Sequence, residues 1–155
     1  MLTVLFVDIS GSTELAVRIG DRAWRDLLDR FRSTVRGELT RFGGDEVDTT
    51  RDGFFATLAG PDRVIRCALV IVGAVRPLSI QARAGVHVGE VEVSAAGVSG
   101  VAVYVGAHLV ALAKPGEVLV SESLRNLVAG SNIELRDSGE HELKGVPGTS
   151  RVYAA

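Results

Sequence analysis

The chain has 155 residues, 46% of them hydrophobic and 23% charged, with a net charge of −2. That length and balance fit one soluble globular domain, residues 1–155, large enough to bury a real core. Interspersed charge and a 5% aromatic content argue against a nucleic-acid or membrane surface.

Thr3 to Thr13 comes first and organises the rest. Val4-Leu5-Phe6-Val7 is a continuous apolar run of the kind found in a strand buried on both faces. Met1 opens directly into it without a secretory signal, so a cytoplasmic location is expected. The run ends in Asp8, followed by the small polar turn Gly11-Ser12-Thr13 and a helical pattern. A carboxylate at a strand end suits a metal, and the N–H groups of such a turn suit phosphate. Read more simply, the same residues end a strand and cap a helix.

Apolar residues recur at helical spacing from Glu14 to Leu39, with Gly20-Asp21 interrupting them and Asp21 expected to cap the longer second helix. Glu46–Thr50 and Phe54–Leu58 read as strands joined by Arg51-Asp52-Gly53, a strong hairpin signal. A third helix is expected from Asp62 to Val75, closed by Pro77. Cys67 within it reads as a core residue rather than a reactive thiol. The apolar stretch Cys67–Val75 is bounded by Arg66 and Arg76 and is too short to cross a bilayer.

A second strand pair is expected at Ile80–Val88 and Glu90–Val93, bent at Gly89, then a loop over Ala95–Gly100 and a helix over Val101–Leu112. Glu117–Ser121 reads as a strand and Glu122–Val128 as a short helix. Ile133–Leu135, Glu140–Leu143 and Arg151–Tyr153 alternate like a small terminal sheet. The order βαββαβ predicts an α+β, ferredoxin-like sandwich with C-terminal additions. Such a sheet sets Asp8 and the Asp52 turn on neighbouring strands at one edge.

Two carboxylates converging beside a phosphate-binding turn suggest two divalent cations, Mg²⁺ or Mn²⁺, and a nucleoside triphosphate. VLFVDISGST, EVDTTRDGFFATL, RAGVHVGEV, VALAKPGEVLVS and GEHELKGV, in that order, together resemble the catalytic domain of class III adenylyl/guanylyl cyclases across essentially the whole chain. The resemblance implies that Asp8 and Asp52 bind metal, with the Ile9 carbonyl as a further ligand. It implies that Gly11, Ser12 and Thr13 wrap the triphosphate and that Arg83 and Lys144 contact its phosphates. It also implies a head-to-tail homodimer whose site lies between subunits, and conversion of ATP to cyclic AMP and pyrophosphate.

Four positions depart from the family pattern. Where active members carry a base-reading lysine and aspartate, this chain has Asp48 and Val101. Where they carry a transition-state asparagine and arginine, it has Tyr104 and His108, still at i, i+4. Losing one preorganised charge-stabilising donor costs roughly 10²–10³ in rate, so the resemblance implies binding more firmly than turnover. A degenerate domain that binds nucleotide or a partner is the alternative. Arg41–Val47, reading RFGGDEV, also resembles the RYGGDEF hairpin of diguanylate cyclases, but an intact strand–Asp-Gly–strand unit follows it.

Overall fold

The computed structural model describes residues 1–49, 52–143 and 145–155. Leu2–Ile9 forms β1, flanked by Gly53–Leu58 (β3) and Ala82–Gly89 (β4), both antiparallel to it. Val4, Leu5, Val7 and Ile9 are buried, which is why the run shows no alternation. Asp45–Thr49 (β2) lies outside β3. Val118–Ser121 (β7) runs parallel to β4, and Ser150–Ala154 (β9) and Arg136–His141 (β8) complete that side. Among the described residues these strands form one sheet in the order β2-β3-β1-β4-β7-β9-β8. Its first four members are the expected ferredoxin-like unit.

Successive side chains of β1 point to opposite faces. Leu5, Val7 and Ile9 enter the larger core with Phe31, Val35 and Leu39 of α2 (Asp21–Arg41) and Ile65, Ala68 and Ile71 of α3 (Pro61–Ala74). Val4, Phe6 and Asp8 face the other way, toward α4 (Val101–Leu112). Two glycines let α4 lie close on the sheet. A Cβ at Gly106 would stand 2.7 Å from the Phe6 ring, and one at Gly85 would stand 2.5 Å from the Val110 backbone nitrogen. Val105, Leu109 and Ala113 pack with Leu119, Val152 and Ala154 in a smaller core on this face.

Three expectations need correction. Glu92–Ser94 (β5) does not return along β4; it pairs with Gly97–Ser99 (β6) in a separate ribbon, placing a strand within the expected 95–100 loop. The reason is that β1 and β7 already occupy both edges of β4. The terminal strands do not form a sheet of their own: β9 pairs with β7, and the segment before β8 holds Ile133–Leu135 outside any strand. Asp21 does not cap α2 but is its first residue, after Gly20 at φ 87°. Its charge there still favours the helix N-terminus. Among the described residues, no helix is long and apolar enough to cross a membrane.

Candidate active site

The site is built where β1 ends. Register sets Asp8 opposite Gly53 on β3 and opposite Arg83 on β4. Asp52, one residue before β3, accepts the Ile9 N–H on its carbonyl at 3.1 Å, so both aspartates reach the same end of adjacent strands. Ser10 and Gly11 then turn the chain into α1 (Ser12–Ile19). Gly11 takes φ 63°, a left-handed conformation that suits glycine. The Ser10 N–H donates to the Gln81 carbonyl at 2.8 Å, anchoring the turn to the segment entering β4. The first N–H groups of α1, beyond Gly11, lack intrahelical acceptors by geometry and face an anion favourably.

Two side-chain pairs tie the cluster together. Ser12 donates from Oγ to Oδ2 of Asp52 at 2.5 Å. Arg83 donates from Nε to Oδ1 of Asp8 at 2.6 Å and from Nη2 to Oδ2 at 3.4 Å. Its Nη1 donates to the carbonyls of Ala111 at 3.1 Å and Ala113 at 3.5 Å, at the C-terminal end of α4. Burial is the main cause pushing the Asp8 carboxyl above its usual range. The Arg83 hydrogen bond and charge oppose that shift, and the nearby Asp52 charge adds to it. Two partly desolvated carboxylates that repel one another are a fit for a hard divalent cation. Among the described residues no group of three or more His, Cys, Asp or Glu side chains is gathered.

A hollow of about 230 Å³ beside Asp8 is floored by Phe6 and Phe55 and walled by Ala107 and Val110 of α4. The two rings stack with centroids 4.3 Å apart and planes 6° apart. A second hollow, also about 230 Å³, lies between Asp52, Ser12, Thr13 and Trp24. Other expected residues lie on β2 and α4. Asp48 is exposed on β2 opposite Phe55. Val101 and Tyr104 on α4 are 53% and 56% exposed, and His108 follows one turn later, half-buried. Lys144 lies outside the described residues.

Gly43 and Gly44 close α2, donating to the Thr40 and Leu39 carbonyls, and β2 begins at Asp45. They therefore precede the β2–β3 hairpin, against the diguanylate-cyclase reading. Sequence reasoning missed the Phe6–Phe55 platform and Trp24. The first had a signal, because Phe6 and Asp8 are two residues apart on one strand and share a face.

The family model for the adenylate and guanylate cyclase catalytic domain matches residues 1–154. An uncharacterized protein of Mycobacterium tuberculosis is 30% identical over 125 residues, covering 79% of this chain and 33% of the relative. The chain thus spans about a third of the length of that curated relative. The crystal structure of the adenylyl cyclase CyaB from P. aeruginosa superposes with a TM-score of 0.88 at 20% identity, covering 99% of this chain and 92% of that one. The catalytic core of a rhodopsin-guanylyl cyclase with converted specificity, in complex with ATPalphaS, reaches 0.90 at 20% identity, covering 99% and 93%. At these identities the two structures speak for the fold.

Proposed function

The chain belongs to the adenylate and guanylate cyclase catalytic domain family, and we propose that it binds a metal–nucleoside triphosphate and forms a cyclic nucleotide slowly, ATP giving cyclic AMP and pyrophosphate. The observation that carries this reading is the delivery of Asp8 and Asp52 to one strand end beside the Gly11-Ser12-Thr13 turn. Asp8, Asp52 and the Ile9 carbonyl hold two divalent cations, Mg²⁺ or Mn²⁺. When bound, these supply Lewis-acid activation of the ribose 3′ hydroxyl and offset charge on the leaving pyrophosphate.

The chain's own groups do the rest. Main-chain N–H groups at the start of α1 hold phosphate oxygens, and Arg83 and Lys144 add charge there. Asp48 and Val101 stand at the base-reading positions and offer no matched pair for adenine. Tyr104 and His108 stand where charge on the α-phosphate is to be stabilised. A phenol offers one hydrogen bond, and a neutral imidazole offers one N–H and no charge.

The exposed outer face of α4 suits a second copy in a head-to-tail homodimer, so that one subunit's aspartates meet the other's Tyr104 and His108 across two equivalent clefts. The four replaced positions also favour a second reading, a cyclase-like domain that binds nucleotide or a partner and forms no product. Asp8→Ala with Asp52→Ala tests the site assignment. Metal-dependent nucleotide binding should disappear while the circular dichroism spectrum stays that of wild type. Unchanged nucleotide affinity would reject the assignment.

A further inference from the structure

Arg83 stands between two negative groups. On one side are both oxygens of Asp8. On the other are the carbonyls of Ala111 and Ala113, at the end of α4 where the helix dipole is negative. All three guanidinium nitrogens are thereby engaged, and the group is the clasp between the carboxylate and the helix. A carboxylate whose two oxygens are held by an arginine fork cannot offer its full coordination to a divalent cation.

From this geometry we propose that Arg83 is a latch. Without a cation it neutralises Asp8 and pins the last turn of α4, and a divalent cation arriving at Asp8 displaces the guanidinium and frees that turn. The proposal rests on the reading of Asp8 as a cation ligand. Its consequence is directional. The helix carrying Tyr104 and His108 is tied by this clasp at its C-terminal end only while the carboxylate is without a cation, its core packing through Leu109 and Ala113 being separate. The displaced guanidinium is then available to an incoming phosphate on the same side. Cation and nucleotide are therefore sensed through one side chain.

The test uses nucleotide-free protein and Mn²⁺ alone. Free Mn²⁺ is followed by electron paramagnetic resonance, and amide hydrogen exchange is read across residues 109–113. Wild type, Arg83→Gln, Arg83→Lys and Asp8→Asn are compared. Hydrogen bonds to charged groups have net strengths that correspond to about ten- to a hundredfold in affinity. Arg83→Gln should therefore bind Mn²⁺ at least about tenfold more tightly than wild type.

Lysine keeps the charge but cannot span two carboxylate oxygens and two carbonyls in one plane. In Arg83→Lys, as in Arg83→Gln, exchange at 109–113 should be fast before any metal is added. In wild type it should become fast only on adding Mn²⁺, a measurement that needs no variant to fold. Wild-type exchange that Mn²⁺ leaves unchanged, or a lysine variant matching wild type in both readouts, overturns the latch while leaving Asp8 as a ligand. Asp8→Asn binding Mn²⁺ as wild type does overturns the site assignment, and the latch with it.

Discussion

Gly85→Ala is the sharpest test of how α4 is seated over the site. The new Cβ would lie 2.5 Å from the Val110 backbone nitrogen, 2.8 Å from Leu109 Cβ and 2.9 Å from the Gly106 carbonyl oxygen. Two of these are main-chain atoms of a helix, so no side-chain rotation relieves the clash and α4 must lift. Overpacking of this kind costs about 1–3 kcal/mol, and the backbone contacts place this case at the upper end. In a domain of this size each kcal/mol lowers the melting temperature by about 2–4 °C, which gives a fall of roughly 6–12 °C by differential scanning calorimetry. Gly37, in α2, is the control, because a Cβ there meets nothing within 4 Å. Gly37→Ala should gain up to about 1 kcal/mol from helix propensity. If Gly85→Ala melts within a degree of wild type, or Gly37→Ala falls as far as it does, close packing of α4 on β4 is not what the glycine permits.

Tyr104→Asn together with His108→Arg restores an amide donor and a permanent charge on one face of α4. It should raise cyclic AMP formation at least about tenfold, given roughly 10²–10³ per lost donor, and an inert double variant would mean that base positioning limits instead. His87 tests the other end of the helix. Its Nδ1 lies 2.6 Å from the Ser121 hydroxyl, which also accepts the Leu124 N–H at 3.3 Å. Burial pushes the His87 pKa down to about 4 from 6.5. The unfolded chain binds this proton first as pH falls, so stability is intact above pH 6.5 and declines toward pH 4, by about 3 kcal/mol for this group. Urea unfolding at pH 7 and pH 4.5 should show a smaller acid loss in His87→Gln than in wild type; equal losses would reject the argument.

Much of the fold was legible because local chemistry and tertiary pairing agree. The run Val4–Val7 lacks alternation because helices cover both faces of β1, and the Asp52-Gly53 pair marked the hairpin correctly. Gly89 misled for the opposite reason. The sequence signals a bend there but says nothing about whether β4 has a free edge, and β7, parallel to β4 and about thirty residues later in the chain, had already taken it. The expected site residues divide in the same way. Asp8 and Asp52 needed only strand adjacency to be brought together. The bonds Ser12–Asp52 and Arg83–Asp8 join residues 40 and 75 positions apart. They follow from register and rotamer, which periodicity does not encode. The same holds for Trp24, whose place beside Asp52 depends on how α1 and α2 turn at Gly20.

One titration addresses the central claim most directly: ATP added to wild-type protein with and without Mn²⁺, followed by the fluorescence of Trp24 beside Asp52, with cyclic AMP assayed in the same samples. Saturable, Mn²⁺-dependent binding accompanied by slow cyclic AMP formation is the predicted result. Binding that ignores Mn²⁺ would contradict the assignment of Asp8 and Asp52. Turnover at an ordinary rate of about 10 s⁻¹ would contradict the reading of Tyr104 and His108 as weakened substitutes.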